Sequence, residues 1–383
     1  MSDNQNDPGW GQSTSNDRFT TTTSQSWFSR LGSALTGILV GIVLLPLAGW
    51  GVFWNEGRAV QTARSLAEGA GLVISVPIER PDAANEGRLV HVSGVVRAER
   101  PPGDAELNVA APGGTLRLVR QVEMFQWQET SSSETRTRLG GGTETVTTYN
   151  YQRIWHEGRI DSGRFRQPDG HQNPQPRYAS QAFNAANVTL GGFRVSDAQV
   201  NGLSGGEPLA EGTRFLGASA ETPRVGDQRV SWRAIRPEAL SVIAAQSGDG
   251  FGPYATRAGD RLFRLEQGRV PAAAMIQAAQ DENRILTWAL RLVGIIVIFI
   301  GFALILNPLK VLADVIPPLG AIVGFGTALI AAVLTLIFAP AIIALAWLVY
   351  RPLVGIAILA VGLALAYGVT RLRKTRPLQG KPA

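Results

Sequence analysis

The three histidines of this chain are the residues best suited to proton transfer or metal binding, and they lie far apart: His91, His156 and His171. None has the i, i+4 spacing that brings two imidazoles onto one helix face around a metal ion. The chain has no cysteine, which excludes thiolate metal sites, disulfides and cysteine nucleophiles. The sequence therefore predicts no metal and no cofactor, and we expect His91 to be a packed or surface residue of an apolar strand.

A few residues near His156 are similar to parts of a hydrolase site. His156 is followed by Asp161 and Ser162, which are the residue types of a nucleophile and its orienting acid. However, the chain has no G-x-S-x-G elbow and no recognisable oxyanion loop. We therefore expect no catalytic residues, and a hydrolase is the weakest of the three functions considered below.

Two carboxylates, Glu123 and Glu129, have an even spacing that places them on one face of a predicted strand. Paired carboxylates of this kind can act as the acid and base of glycoside hydrolysis. A solvated face, or ion pairs with the nearby Arg117 and Arg120, is the simpler interpretation.

Aromatic residues cluster on two predicted strands, Leu116–Trp127 and Thr145–His156, which flank a polar stretch with three successive glycines. We expect a long hairpin with an extended, mobile tip. Its rings are Trp127, Tyr149, Tyr151 and Trp155. They suit cross-strand packing, and the alternatives are a partner surface or contact with lipid headgroups.

Hydrophobicity is distributed very unevenly along the 383 residues. Residues 31–54 carry no charge, and residues 292–370 are apolar except for three charged side chains. About 20 apolar helical residues suffice to cross a bilayer. We therefore predict spans at 31–54, 286–307, 318–350 and 353–370, between tails at 1–30 (disordered) and 371–383 (basic).

The last apolar region can also be divided into spans at 318–338 and 341–369, which would place Arg351 inside the membrane. We prefer the spans 318–350 and 353–370, because a charge at mid-bilayer is costly, whereas Tyr-Arg-Pro suits an interface. Arg30 and the basic cluster at 371–376 place both tails in the cytoplasm by the positive-inside rule. Residues 55–284 then lie outside the cytoplasm.

The middle region, residues 55–284, alternates polar with β-branched or aromatic residues between Gly, Pro and Asp, which predicts strands. The fold class is therefore membrane α-helices plus a β-rich α+β extramembrane domain: one N-terminal span, the large domain and three C-terminal spans. Ala63–Gly69 predicts a short helix, and Pro271 starts a predicted helix that runs into the second span. The tetrapeptide Asn-Glu-Gly-Arg occurs at 55–58 and 85–88, and each copy is predicted to form a turn.

Several strings of residues resemble those of the TMEM43 (LUMA) family of membrane proteins. They include residues 53–60, 85–94, 122–129 and 226–230, together with Thr-Trp-Ala-Leu-Arg at 287–291. The resemblance covers about 53–370 and implies the same four-span topology. The candidate interaction residues are Asn55, Glu56, Gly57, Arg58, Asn85, Glu86, Gly87, His91, Glu123, Trp127, Glu129, Trp155, Asp227, Arg229, Trp288 and Arg291.

The resemblance implies a non-enzymatic protein that organises membrane protein complexes, with lipids, other membrane proteins and further copies of itself as partners. The composition of this chain, rich in Ala, Gly and Arg, favours a bacterial inner membrane with a periplasmic domain. A eukaryotic member would occupy the endoplasmic reticulum or inner nuclear membrane. A channel or transporter component is the alternative, because Pro and Gly interrupt the C-terminal spans. Although the net charge is +6, Arg and Lys are scattered, so we expect no nucleic-acid partner.

Overall fold

The computed structural model describes residues 17–374, and long helices dominate both ends of this range. The helices are α1 (Trp27–Leu72), α2 (Asp197–Asn201), α3 (Ala272–Ala313), α4 (Pro317–Tyr350) and α5 (Pro352–Lys374). Three of them are long and apolar enough to cross a membrane: α1, α3 and α4. The coarse prediction of apolar helices flanking a β-rich middle region is thus confirmed, while the crossing of α5 stays a prediction.

The middle region is built from short and long strands in two main sheets. In chain order, the strands of the described residues are β1 (Arg18–Gln25), β2 (Ile74–Ser75), β3 (Leu89–Arg100), β4 (Gly103–Asp104), β5 (Val109–Ala110), β6 (Arg117–Thr137), β7 (Thr143–Glu157), β8 (Gln181–Asn184), β9 (Ala186–Leu190), β10 (Phe193–Arg194), β11 (Glu207–Pro208), β12 (Arg214–Leu216), β13 (Gln228–Ile235), β14 (Ala239–Ser247), β15 (Gly250–Gly252), β16 (Tyr254–Ala255), β17 (Arg261–Leu262) and β18 (Arg264–Gln267).

One sheet has the order β1-β7-β6-β13-β11, and the other has the order β10-β9-β3-β14-β15. Strand β6 shows why the sequence folds this way, since alternate residues from Leu118 to Gln126 are buried while their neighbours are partly exposed. Val90, Leu240 and Val242 fill the core of the second sheet. Burying each such side chain contributes about 1.5–3 kcal/mol.

Helices α1 and α3 run antiparallel and continue from their apolar stretches directly into the β-rich region. Leu66 of α1 and Met275 and Ile276 of α3 pack against Leu89 and Ile243 of the second sheet. The expected boundaries at residues 54 and 284 therefore fall inside continuous helices. The predicted helix at 63–69 is the final part of α1.

The tetrapeptide at 55–58 lies in the middle of α1, so the predicted turn there is wrong. Helix–helix packing determines its conformation, since this segment is covered by α3 and α4. The copy at 85–88 does form a turn, in which Gly87 has a φ of 73° and its N–H donates to the carbonyl of Gln246 at 3.0 Å. Identical residues thus adopt two conformations because their tertiary surroundings differ.

The expected hairpin is present, and its strands pair farther toward the tip than predicted. Strands β6 and β7 pair up to Thr137 and Thr143, which leaves a loop of residues 138–142. Residues 18–25, predicted to be disordered, form β1 and pair with β7 from Arg18–Asn150 to Gln25–Thr143. We call the three-stranded unit of residues 18–25, 128–137 and 143–152 the ribbon. Residues 1–16 and 375–383 of the predicted tails lie outside the described residues.

The tip of the ribbon docks at the end of the helices farthest from the sheets. Arg30 forms an ion pair with Asp314 and also donates to the carbonyl of Gly141 at the tip. The N–H of Gly140 donates to the carbonyl of Val315 at 3.2 Å. At about 3.3 Å per residue, the 21 residues of β6 extend roughly 70 Å, and the 46 residues of α1 cover a similar length at about 1.5 Å each. The ribbon therefore reaches the helix ends that the sequence assigns to the cytoplasmic side.

Close helix packing depends on Gly41, where a Cβ would lie 2.7 Å from the carbonyl oxygen of Gly301. We expect Gly41→Ala to destabilise the protein by about 1–3 kcal/mol through overpacking, which exceeds the gain of up to about 1 kcal/mol in helix propensity. Thermal unfolding in mild detergent measures the effect. The control is Gly51→Ala, which adds a methyl group where no atom lies within 4 Å. Equal midpoint shifts in both variants would contradict the packing argument.

Candidate functional site

A buried ion pair joins the three apolar helices at the level where α1 and α3 enter the domain. Glu56 is 2% exposed. It accepts hydrogen bonds from Arg291 Nε at 2.6 Å and Arg291 Nη2 at 2.8 Å. Its Oε2 also accepts from the indole N–H of Trp347 at 2.8 Å. We call this point, where α1, α3 and α4 meet, the junction.

A second layer of hydrogen bonds connects α1 to α3 beside the ion pair. Arg58 donates to the Oδ1 atoms of Asn55 at 3.2 Å and Asn283 at 3.0 Å. It also donates to the hydroxyl of Thr287 at 3.1 Å, while Asn55 donates to the carbonyl of Thr287 at 3.2 Å. These residues recur every three or four positions on each helix, so they lie on the facing sides.

Gly57 completes the junction by permitting a close approach of α4. A Cβ at this position would lie 2.6 Å from the ring of Tyr350, so a larger residue would push the end of α4 away. Tyr350 also packs on Phe53, with ring centroids 5.2 Å apart. All four residues of the 55–58 tetrapeptide therefore contribute to one helix junction.

Two tryptophans surround the guanidinium of Arg291, which lies 4.7 Å from the ring centroid of Trp288 and 5.8 Å from that of Trp347. Cation–π contacts of this kind favour a charge that has lost part of its water shell. The arrangement holds an ion pair out of water with its hydrogen bonds satisfied. It therefore fixes the relative positions of the helices, because separating them would expose an unpaired charge to an apolar environment.

The structure brings six predicted site residues together at the junction: Asn55, Glu56, Gly57, Arg58, Trp288 and Arg291. Asn283, Thr287 and Trp347 also belong to the junction, although they are not among the predicted site residues. The i, i+4 spacing of Asn283, Thr287 and Arg291 would have indicated a polar stripe on α3. Trp347 gave no such signal, because it lies in an apolar stretch.

A second cluster forms where β6, β7 and β13 lie side by side. Glu123 accepts from Arg229 Nε at 2.7 Å, and the Arg229 guanidinium lies 4.8 Å from the ring centroid of Trp155. Glu129 instead accepts from the hydroxyl of Tyr151 at 2.6 Å. The two carboxylates therefore have separate partners and do not form a pair.

Of the two interpretations given for these carboxylates, the one that pairs them with Arg117 and Arg120 is wrong. Arg120 is buried and pairs with Asp104 at 3.0 Å, an interaction supported by the indole N–H of Trp232, which donates to Asp104 at 3.0 Å. Arg117 donates to backbone carbonyls, including that of Leu203 at 2.9 Å. Asp104 and Trp232 thus provide the buried charge partners that strand alternation alone did not reveal.

Trp127 and Tyr151 enclose His171 at the base of the ribbon. The imidazole stacks on Tyr151 at 4.1 Å and meets the edge of Trp127 at 4.7 Å between ring centroids. Burial, and then the hydrogen bond to Glu129, raise the pKa of Tyr151 to about 12. The phenol therefore stays protonated as a hydrogen-bond donor, which suits a structural position.

The remaining predicted site residues have structural partners elsewhere. His91 bonds to Ser75 Oγ at 3.1 Å and to the carbonyl of Val270 at 2.9 Å, which is the packed position expected. Glu86 accepts from the N–H of Gly248 at 2.9 Å and, with Asn85 and Gly87, belongs to the turn described above. Asp227 accepts from the backbone N–H of Arg224 at 2.8 Å.

The fragments of a hydrolase site do not assemble. His156 Nδ1 lies 3.3 Å from the carbonyl oxygen of Gly158, whereas Ser162 Oγ accepts from the N–H of Asn173 at 2.9 Å. Asn173 in turn bonds to both backbone groups of Trp127. Ser162 therefore belongs to the contacts that hold the loop after β7, and His156 does not activate it.

At the junction, removing one partner of the buried ion pair leaves the other charge uncompensated. We expect Glu56→Gln and Arg291→Met each to lower the free energy of unfolding by about 3–5 kcal/mol. In the double variant, the loss in free energy of unfolding should be smaller than the sum of the two single losses, as measured by a double-mutant cycle in detergent. Asp249→Asn is the control, since its pair with Arg194 has side chains 66% and 72% exposed and should matter little. Additive losses would mean that the pair does not couple the helices.

Comparison with known proteins places these features in a family. A sequence profile described as Transmembrane protein 43 matches residues 124–352. Transmembrane protein 43 of Homo sapiens is 33% identical over 372 residues, covering 90% of this chain and 92% of the relative. The Rattus norvegicus protein is 33% identical over 354 residues, with 85% and 88% covered. The Drosophila melanogaster homolog is 28% identical over 349 residues, with 85% and 91% covered.

No solved structure matches this chain. The profile covers more than half of the chain, and the mammalian relatives align along nearly all of it. The chain therefore belongs to the TMEM43 (Transmembrane protein 43) family.

Proposed function

We propose that this protein is a non-catalytic scaffold that organises membrane protein complexes, with the ribbon as its interaction surface. The observation that carries the proposal is the position of the ribbon beside the apolar helices, with both outer edges open. Among the described residues, β1 pairs only with β7, and β6 has no strand partner beyond β7 from residue 128 to 137. Such edges are ready to pair with another chain.

The depth of the ribbon strengthens this argument. Its tip contacts Arg30 and Val315 at the far end of the apolar helices, while its base belongs to the domain at the other end, so the ribbon extends from the domain to that far end. At bilayer depth, every backbone polar group must be satisfied by protein or by enclosed water, because lipid offers no partner. Neighbouring proteins are therefore needed to cover the ribbon.

One face of the ribbon is suited to such contacts because it carries no charge between Ser131 and the tip, beyond Glu129 at the base. Ser133 and Thr147 are hydrogen-bonded across this face at 2.9 Å, as are Thr135 and Thr145. The register places twelve uncharged residues there: Phe19, Thr21, Thr23, Gln25, Ser131, Ser133, Thr135, Thr137, Thr143, Thr145, Thr147 and Tyr149. Burying this face in a protein interface costs no charge desolvation.

The junction also supports the scaffold proposal, because it restricts rotation of the domain relative to the apolar helices. The domain is attached through two continuous helices, and the ion pair of Glu56 with Arg291 fixes their register. We propose that the domain body lies outside the cytoplasm of a bacterial cell, consistent with the basic residues at 371–376. Lipids, other membrane proteins and further copies of this chain are the proposed partners.

Site-specific photo-crosslinking in intact cells tests the scaffold proposal. A photoreactive amino acid at Thr135, on the uncharged face of the ribbon, should form discrete adducts with integral membrane proteins, including a second copy of this chain. Mass spectrometry identifies the adducts. The control position is Ala84, which is exposed on the domain away from the ribbon. Adducts with lipid alone, or the same adducts from Ala84, would count against the proposal.

A second candidate function is a channel component, and the same polar ribbon favours it. Ribbons of neighbouring copies could enclose water at bilayer depth, with the charged face toward the lumen. That face carries Arg18 of β1, Glu134 and Arg136 of β6, and Glu144 of β7.

Ion flux into liposomes containing the purified protein tests this candidate. We expect Glu134→Lys combined with Glu144→Lys to increase the selectivity for anions, because charges that line a pore determine which ions enter. Thr22→Ser is the conservative control on the same face. Flux no faster than that of empty liposomes would eliminate the channel while leaving the scaffold proposal intact.

A further inference from the structure

Arg351 occupies the break between α4 and α5, and its guanidinium has no hydrogen bond or ion pair with the side chains that the structure describes. Its backbone is non-helical, with φ −136° and ψ 63°, and its N–H donates to the carbonyl of Trp347 at 2.8 Å. The turn is tight, since a Cβ at Gly355 would lie 2.9 Å from Leu348. The fold therefore holds an unpaired cation at a defined place beside the membrane-spanning helices.

A cavity of about 380 Å³ lies between this cation and the junction. Its polar and aromatic lining includes Glu56, Arg284, Trp288, Arg291, Trp347 and Arg351. The cavity sits where the apolar stretches of α1 and α3 end. This is the depth at which lipid headgroups lie and at which tryptophan is favoured.

The charges around this cavity are not balanced. Three guanidiniums face one carboxylate, and Glu56 already accepts hydrogen bonds from Arg291 and Trp347. Arg284 makes only an exposed contact with Asp281, at 3.4 Å. The cavity therefore carries an excess of positive charge, and the guanidinium of Arg351 has no hydrogen-bond acceptor among the described side chains.

We propose that this cavity binds the phosphate of an anionic lipid headgroup, with Arg351 and Arg284 donating to its oxygens. Guanidinium groups match phosphate oxygens in charge and in the geometry of paired hydrogen bonds. The Trp288 ring, 63% exposed at the rim, would contact the glycerol and upper acyl region. A soluble phosphate offers the same oxygens, but it lacks the acyl chains that fit the adjoining apolar helices.

The inference is independent of the scaffold role, because it rests on the junction cavity and not on the ribbon. Native mass spectrometry of the full-length protein in mild detergent tests it, with phosphatidylglycerol and phosphatidylcholine supplied at equal concentrations. We expect one phosphatidylglycerol to be retained per chain in preference to phosphatidylcholine. Arg351→Gln should weaken this retention about tenfold, the effect of losing one charge-assisted hydrogen bond.

Arg351→Gln should lower the unfolding midpoint far less than Glu56→Gln does, since Arg351 forms no hydrogen bond or ion pair with the described side chains; this separates a binding role from a structural one. Arg194→Gln is the matched control, because it removes an exposed arginine from the domain. Equal retention of both lipids, or undiminished retention in Arg351→Gln, would overturn the proposal. Displacement of phosphatidylglycerol by inorganic phosphate would overturn the proposal that the bound phosphate belongs to a lipid, and would assign the cavity to a soluble anion.

Discussion

The ion pair between Glu56 and Arg291 is the interaction on which the rest of the structure depends. It joins α1 to α3, and through Trp347 it also includes α4. Removing two charges from water is expensive, and only good geometry and complete hydrogen bonding offset that cost. Both conditions are met here, so the pair specifies one register of the helices. Because the same helices continue into the domain, this register also sets the position of the β-sheets.

Much of the architecture follows from patterns that the sequence displays openly. The uncharged stretch at 31–54 and the apolar region from 292 onward predict helices, and the alternating or β-branched and aromatic residues of the middle region predict strands, including β6 and β7. The split before Arg351 follows from the cost of burying a charge. These predictions succeed because each depends on residues that are neighbours along one element.

The failures depend on contacts between distant residues. Asn-Glu-Gly-Arg at 55–58 has the composition of a turn, yet the packing of α3 and α4 around it keeps the segment helical. Strand β1 is a run of threonines without apolar alternation, and only its pairing with β7 makes it a strand. The site also depends on distant residues. The family resemblance pointed to its residues at 55–58 and 288–291, but only the folded structure shows that they meet Trp347.

Strand β1 also has a consequence for how the protein is made. Arg18 pairs with Asn150, 132 residues later in the chain, so β1 emerges from the ribosome long before its partner. At about 5–20 residues per second, the delay is roughly 7–26 s. During that interval α1 is already available for membrane insertion, while the N-terminal strand has nothing to pair with. The ribbon can therefore form completely only after the middle of the chain has folded. In a chain whose domain misfolds, the segment of β1 stays unpaired and exposed.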